Sequence, residues 1–435
     1  MKLFGVCLLV LAAGSARAGD WPAFMGGPAH TGRAEAINPA AVARLRPLWT
    51  RQLHASVTAS PVVVAGKLYV AAEDGNLHVF DVESGRPLWL YHCEGGIGAT
   101  PAIADGRIVL FSRDGRVQAL SMDGTVLWRF DTVGERRFGI AGAYGQDPAQ
   151  GIVPDPWDFW LSSPAIAGGR VVFGSSDGHV YALDAATGRP LWTYDARISV
   201  HSPPAITDGR VFIGTWDTRL LALDAADGHL LWRFQGGKDA KNGVLQGMVA
   251  APAVDGGTVY MGARDGFLYA FDAASGAMRW RYDAHGSWVV ASVAVDGATV
   301  YTATSDTTKF IALDKATGRE RVGVDMRVWT YASPVVAGRV AFAAAMDGRL
   351  YAFDARTGKR LWQWRSPEGA ADAEDVLDAR GSLRTTRLFA PGVQLQAAVE
   401  KVKALGAFVA TPAWDGRRLV AVTATGQVVV FGVTR

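Results

Sequence analysis

The chain has 435 residues, and its 44 lysines and arginines nearly balance its 41 aspartates and glutamates. Because binding to nucleic acid requires a strongly basic surface, this balance excludes nucleic acid as an expected partner. Glycine (51 residues) and tryptophan (15 residues) are both abundant. This combination is typical of all-β proteins, in which many tight turns surround large aromatic side chains.

The N-terminal segment has the pattern of a secretory signal. Lys2 precedes an apolar run that extends to Ala13, and a small-x-small motif places the cleavage site after Ala18. The sequence therefore predicts a signal peptide over residues 1–18 and a periplasmic or secreted protein. A bulky residue precedes Cys7, so a lipid anchor is not expected. No later stretch reaches the roughly 20 apolar residues of a transmembrane helix, and none is expected.

Four short apolar runs separated by turns recur along the rest of the chain. In the first unit the runs extend from Ser60 to Trp89, with glycine turns at Gly66, Gly75 and Gly85. This pattern predicts a four-stranded antiparallel meander, and units of this size stack around an axis as a propeller. The complete units cover residues 60–89, 100–128, 163–192, 202–232, 251–280, 291–322 and 333–362.

An eighth unit begins at Thr411, but the sequence stops at Arg435 before a fourth strand. The missing strand is predicted at the other end, because residues 46–49 repeat the Arg-Pro-Leu-Trp motif of residues 86–89. We therefore predict an all-β fold over residues 19–435. It is a single eight-bladed β-propeller of four-stranded antiparallel blades, whose last blade is closed by the N-terminal strand.

A tryptophan occupies the fourth strand of almost every unit, where its side chain would be buried between neighbouring blades. Burial of an indole contributes about 4 to 6 kcal/mol at roughly 25 cal/mol/Å². Val322 takes this position in the sixth unit, whose junction with the next blade is expected to be the most loosely packed. The tryptophans assigned to structure are Trp49, Trp89, Trp128, Trp192, Trp232, Trp280 and Trp362.

The segment from Asp177 to Trp192, Asp-Gly-x-x-x-Ala-Leu-Asp-Ala-x-Thr-Gly-x-x-Leu-Trp, resembles the tryptophan-docking repeat of pyrroloquinoline quinone (PQQ) dehydrogenases and their relatives. The segment from Asp20 to Gly32 is similar to the start of exported PQQ-like repeat proteins. The resemblance implies two functional classes. Quinoprotein alcohol dehydrogenases hold PQQ and a calcium or lanthanide ion at the propeller axis, whereas a non-catalytic branch includes BamB, a component of outer-membrane barrel assembly. The sequence lacks the adjacent cysteine pair of many dehydrogenases, and it is most similar to soluble exported relatives without an assigned activity.

Three insertions interrupt the repeat, over residues 135–162, 236–248 and 366–410. In a four-stranded meander the loops between blades and the loops between the second and third strands emerge on the same face, so all three insertions are expected there. They would bind a protein, peptide or small ligand on this face, or cap the central channel. Residues 393–405 carry an apolar stripe at helical spacing, which predicts a short helix.

Charged and aromatic side chains in the loops of the same face predict one binding surface near the axis. Some stand just before the turn between the second and third strands, and others are tryptophans that the docking repeat does not explain. Packing and solvated loops are the alternative for each. The candidate ligand-binding or partner-binding residues are Glu73, Arg113, Trp160, Trp216, Arg264, Trp288, Lys309 and Trp329.

The same face meets part of what a quinone requires. Arg113, Arg264 and Lys309 would balance the carboxylates of PQQ, and Trp216 would support its ring. Glu73 or Asp158 would supply an oxygen ligand to calcium. No set of metal ligands stands out, so no catalytic residue and no metal site is assigned.

The sequence favours a non-catalytic periplasmic binding or scaffold protein without a cofactor, with outer-membrane assembly factors as possible partners. The alternative is a PQQ-dependent dehydrogenase that oxidises alcohols or sugars and binds PQQ with calcium.

Overall fold

A computed structural model describes residues 19–142, 151–241, 243–390 and 393–434. The predicted signal peptide over residues 1–18 and its cleavage site lie outside these residues, as do residues 143–150 of the first insertion. The described chain forms eight four-stranded sheets around a common axis, which confirms the predicted eight-bladed propeller. None of its helices is both long enough and apolar enough to cross a membrane.

Blades 1 to 7 each consist of four consecutive antiparallel strands. The strands of blade 1 are Val62–Val64, Lys67–Ala71, Asn76–Asp81 and Pro87–His92, and those of blade 2 are Ala102–Ala104, Arg107–Phe111, Arg116–Ser121 and Val126–Asp131. The strands of blade 3 are Ala165–Ala167, Arg170–Gly174, His179–Asp184 and Pro190–Asp195, and those of blade 4 are Ala205–Thr207, Arg210–Gly214, Arg219–Asp224 and Leu230–Gln235. The strands of blade 5 are Ala253–Asp255, Thr258–Gly262, Phe267–Asp272 and Met278–Asp283. Those of blade 6 are Ala294–Asp296, Thr299–Ala303, Lys309–Asp314 and Glu320–Asp325, and those of blade 7 are Val335–Ala337, Val340–Ala344, Arg349–Asp354 and Arg360–Arg365.

Blade 8 joins the two ends of the chain. Its first three strands are Ala413–Trp414, Arg418–Val422 and Gln427–Val433, and its fourth is the N-terminal strand Leu45–Gln52. The N-terminal strand pairs antiparallel with Gln427–Val433. The predicted closure is therefore confirmed, and it covers a strand edge that would otherwise be open to solvent.

The remaining elements are short. A two-residue ribbon pairs Gly139–Ile140 with Val153–Pro154 in the first insertion. The helix Leu395–Lys403 confirms the helix predicted from the apolar stripe, and Leu395, Ala398, Val399 and Val402 are buried. The other helices are the 3₁₀ turn Phe24–Gly26 and the α-helices Pro39–Val42, Pro367–Ala371 and Thr385–Leu388.

The docking tryptophans link neighbouring blades as predicted. The indole N–H of Trp192, for example, donates to the carbonyl of Ala225 at 3.1 Å, in the turn before the fourth strand of the next blade. For Trp89 no hydrogen-bond partner is present among the described residues, and its ring packs beside Tyr69 at 6.2 Å between centroids. The donor and acceptor pairs are Trp49–Val82, Trp128–Ala185, Trp192–Ala225, Trp232–Ala273, Trp280–Lys315 and Trp362–Leu45.

Residues 20–37, before the first blade, lie along the inner edges of the first strands. The amide of Ile103 in blade 2 donates to the carbonyl of Pro22 at 2.9 Å, and Trp21 pairs with Val63 of blade 1. Further amides of blades 4 to 7 donate to this segment, at Ile206, Val254, Val295 and Val336. The segment thus closes the channel from one end, a role that the sequence did not reveal.

Candidate functional site

All three insertions meet over the opposite end of the channel, which we call the insertion face. The first contacts blade 2, where Arg113 donates to the carbonyl of Phe159 at 2.8 Å. In the second, the Asp239 carboxylate accepts from the indole N–H of Trp288 at 2.7 Å. In the third, Phe389 packs against Trp329, with 5.7 Å between ring centroids. The insertions and the underlying loops therefore form one hydrophobic cluster.

The centre of this cluster is Trp157 from the first insertion, which is only 3% exposed. Its ring meets Trp288 and Trp329 edge to face, with centroids 6.3 and 5.0 Å away. It also stacks on Tyr331 at 5.9 Å. Trp160 lies beside Tyr331, with 6.4 Å between their centroids. The aromatic side chains thus fill the space over the axis by packing on one another, as expected of a cap.

Arg264 is buried beneath this cap. Its guanidinium carbon lies 4.6 Å from the ring centroid of Trp216 and 4.6 Å from that of Trp288, so the cation contacts two indole faces. Its Nη1 donates to the Asp155 carboxylate, and the two side chains are 1% and 0% exposed. Blade 5 and the first insertion are therefore joined by a buried ion pair.

A second ion pair joins blades 1 and 2. Two guanidinium nitrogens of Arg113 donate to the Glu73 carboxylate at 2.7 and 2.8 Å, and the Thr58 hydroxyl donates to it at 2.7 Å. Burial acts to raise the pKa of Glu73, but the hydrogen bonds and charge of Arg113 bring it below its ordinary value. Glu73 is therefore ionised and paired with Arg113.

His201 lies between two carboxylates of the first insertion. Its Nδ1 is 2.8 Å from Asp158, and its Nε2 is 3.7 Å from Glu135. Burial acts to lower the pKa of His201, but the charge and hydrogen bond of Asp158, together with Glu135, raise it to about 9. The imidazole is therefore protonated at neutral pH and binds the insertion to the loop before blade 4.

The structure brings most of the candidate residues together. Trp160, Trp216, Arg264, Trp288 and Trp329 surround the same cluster, and the contact of Arg113 with the first insertion places its pair with Glu73 at the edge. Lys309, the remaining candidate, begins the third strand of blade 6, where Asp325 is its cross-strand partner.

Glu135, Asp155 and His201 were not identified from the sequence as residues of this site. All three are buried or nearly so, but isolated polar residues in a loop or an insertion carry no repeated spacing that would indicate burial.

The arrangement does not fit a quinone at the axis. The guanidinium of Arg264 fills the space between the indoles of Trp216 and Trp288, where a flat ring would stack. Both arginines expected to balance quinone carboxylates already hold carboxylates of this chain. Among the described residues, one cluster has metal-ligand side chains within reach of one another, Asp224, Asp227 and His229, and it lies on a largely exposed turn of blade 4.

Below the cap, the channel retains a cavity of about 30 Å³. A cavity of this size has room for one or two water molecules. Its lining includes Phe24 of the N-terminal segment, Trp160 and Tyr331 of the cap, and the hydroxyl residues Ser163, Ser292 and Ser333. A ligand or partner would therefore meet the outer surface of the insertions and not this cavity.

Similar solved structures belong to both functional classes. BamB from Moraxella catarrhalis is 18% identical, covering 89% of this chain and 99% of that one, with a TM-score of 0.65. Quinohemoprotein alcohol dehydrogenase from Comamonas testosteroni is 17% identical, covering 96% of this chain and 81% of that one, with a TM-score of 0.68. A europium-containing methanol dehydrogenase is 16% identical, covering 95% and 98%, with a TM-score of 0.69. At such identities these likenesses establish the fold alone.

No curated protein sequence matches the chain significantly. A family model described as outer membrane protein assembly factor BamB matches residues 35–146, 148–287 and 264–433. These matches cover nearly all of the propeller. The chain therefore belongs to the BamB family of PQQ-like repeat β-propellers.

Proposed function

We propose that this propeller is a non-catalytic binding or scaffold protein that is exported to the periplasm and binds a protein partner through its insertion face. The observation that carries the proposal is the Arg264–Asp155 pair between two indoles. The charged groups near the axis serve to hold the cap in place, which leaves its outer surface for recognition. Family membership suggests outer-membrane protein assembly as the process.

The outer surface of the cap carries apolar side chains that a partner would cover. In the part of each insertion that the structure describes, one large apolar side chain is exposed: Ile152 at 77%, Val244 at 38% and Val393 at 42%. A single exposed apolar residue is common on any protein. One from each of three insertions on the same face supports a composite contact surface.

Site-specific photo-crosslinking in the native cell tests this proposal. A photoreactive amino acid at position 152, 244 or 393 is expected to crosslink to outer-membrane assembly components, and the triple variant Ile152→Ser, Val244→Ser, Val393→Ser is expected to lose the complex. Leu48, Leu90 and Leu127 are similarly exposed on outer strands and serve as control positions. Equal crosslinking from both sets would contradict a partner site on the insertion face.

A cofactor assay tests the alternative, a PQQ-dependent dehydrogenase. The purified protein is incubated with PQQ and calcium, washed, and examined for quinone absorbance and alcohol-dependent dye reduction. We expect no retained quinone and no reduction. Retained quinone with dye reduction that Arg264→Ala abolishes would overturn the binding role in favour of a dehydrogenase.

A further inference from the structure

Blade 6 differs from its neighbours at two positions of its fourth strand. In the other consecutive blades the docking tryptophan is followed two residues later by a second aromatic residue. Blade 6 has Val322 and Val324 instead. The aromatic pairs elsewhere are Trp89 and Tyr91, Trp128 and Phe130, Trp192 and Tyr194, Trp232 and Phe234, Trp280 and Tyr282, and Trp362 and Trp364.

The junction of blades 4 and 5 shows what such a pair does. Trp232 and Phe234 pack on Phe271 of blade 5, with ring centroids 6.1 and 4.7 Å away. Phe234 also contacts Tyr269 at 4.9 Å. Two aromatic side chains of one blade thus cover two aromatic side chains of the next.

At the junction of blades 6 and 7, blade 7 retains the two aromatic residues that are covered elsewhere, but the fourth strand of blade 6 lacks the two that would cover them. Tyr351 and Phe353 occupy the positions of Tyr269 and Phe271. Phe310 in the third strand of blade 6 stacks on Phe353 at 5.2 Å between ring centroids, but the fourth strand of blade 6 offers only valines. A groove of about 340 Å³ opens here, and Val324, Tyr351, Phe353 and Gly358 are part of its lining. We call it the blade 6–7 groove. Val324, two residues beyond Val322 in the same strand, is the valine that lines it.

The groove is also positively charged. Its lining includes Arg327, Arg349 and Arg360 against a single acidic residue, Asp325. Arg349 is paired with the buried Asp347. The remaining charge in the lining therefore favours a ligand with carboxylates.

Arg365 adds to this charge from the adjacent strand. It is the cross-strand partner of Arg349, and its buried Nε has no hydrogen-bond partner among the described residues. Burial and the neighbouring Arg349 lower the pKa of Arg365. The carboxylates of Asp347 and Asp372 act in the opposite direction and do not restore the pKa to its ordinary value.

We propose that the blade 6–7 groove binds an acidic peptide segment of a partner protein, which inserts an aromatic side chain in place of the missing indole. Its carboxylates would contact the arginines along the groove. This inference goes beyond the proposed function, because the groove lies between outer strands and does not depend on the outer surface of the cap.

Isothermal titration of the intact protein with the pentapeptide Asp-Asp-Trp-Asp-Asp, blocked at both ends, tests the proposal. We expect saturable binding that Val322→Trp weakens by at least about tenfold, because the new indole fills the groove. Arg360→Ala should weaken binding about threefold to tenfold through loss of charge complementarity. Replacing the tryptophan of the peptide by alanine should weaken it about tenfold.

Val133→Trp and Arg129→Ala make the same chemical changes at exposed positions of blade 2, and both should bind like the native protein. If Val322→Trp does not fold, Val324→Phe replaces it as the filling variant. Equal affinity of the native and filled proteins, or no binding by the native protein at about 1 mM peptide, would overturn the proposal. The triple serine variant of the insertion face should retain peptide binding, which separates this test from that of the proposed function.

Discussion

Arg264 is stable inside the protein because an ion pair and two indole faces compensate its charge, although its buried Nε has no hydrogen-bond partner among the described residues. Transfer of an unpaired cation from water into the core would cost several kcal/mol. The Asp155 carboxylate and the faces of Trp216 and Trp288 together offset that cost. The balance depends on all of these groups, so removal of one leaves a charge that nothing else can solvate.

Asp155→Ala should therefore lower the free energy of unfolding by about 3 to 5 kcal/mol. The measurement is denaturation in urea, compared with the native protein. Asp195→Ala is the matched control, because Asp195 pairs with Arg197 on the surface, where both side chains are more than half exposed. Asp195→Ala should lower the free energy of unfolding by less than about 1 kcal/mol. A similar loss of stability in the two variants would refute the role of burial.

The protonated His201 should make stability depend on pH. Its pKa is about 9 in the folded protein, against about 6.5 in an unfolded chain. A raised pKa contributes stability that is complete below about pH 6.5 and is lost as the pH rises through about 9.

Melting temperatures of the native protein and of His201→Gln, measured between about pH 6 and pH 10, test this expectation. The advantage of the native protein should shrink as the pH rises. His54→Gln, at an exposed position, should leave the pH profile of the native protein unchanged. A constant difference between the native protein and His201→Gln would show that the imidazole is neutral.

Docking between blades combines a hydrogen bond with close contact to a glycine. In the junction of blades 3 and 4, Trp192 donates to Ala225, and its ring lies over Gly228. A Cβ atom on Gly228 would come within 2.6 Å of the indole, and its φ of +78° also favours glycine. The glycine of this turn is thus required by the tryptophan as much as by the chain reversal.

Exchanging side chains between adjacent junctions tests the energetics of docking. Trp280→Val should lower the free energy of unfolding by about 3 to 5 kcal/mol, because it leaves a cavity and removes the hydrogen bond to Lys315. Val322→Trp should instead raise the free energy of unfolding by about 1 to 3 kcal/mol, because the blade 6–7 groove has space for the indole. Urea denaturation measures both changes. Destabilisation by Val322→Trp would show that the walls of the groove exclude an indole.

The fold could be predicted because its signals are local and repeated. Trp49 alone identified the strand that closes blade 8, since it follows the same motif as the docking tryptophan of blade 1. The convergence of Trp216 and Arg264 also follows from the repeat, because both precede the same turn in their blades. Residues at equivalent positions of neighbouring repeats therefore lie close together around the axis.

The interior of the site could not be predicted in this way. Asp155 and Glu135 lie in an insertion that has no counterpart in other blades, and their partners are set by tertiary packing alone. The N-terminal residues 20–37 contain only a 3₁₀ turn and contact seven blades through irregular backbone. Neither feature has the periodicity that identifies a strand or a helix.

Closure of the propeller depends on this N-terminal segment as well as on blade 8. The amides of Val295 and Val336 donate to the carbonyls of Thr31 and Gly32, at 2.8 and 2.9 Å, and so join blades 6 and 7 through the channel. Gly32 is tightly enclosed, because a Cβ atom there would lie 2.8 Å from the Cβ and 3.2 Å from the backbone Cα of Ala294. A larger residue at this position must push the segment away from both strands.

Gly32→Ala should therefore accelerate hydrogen exchange at the amides of Val295 and Val336 by at least about tenfold, with amides of the fourth strands unaffected. Gly297→Ala is the control, because Gly297 has nearly the same φ, +55° against +57°, but open space around its Cβ position. It carries the backbone strain without the collision. Equal exchange in the two variants would mean that the segment only lines the channel, whereas selective exchange in Gly32→Ala would establish it as a second closure of the ring.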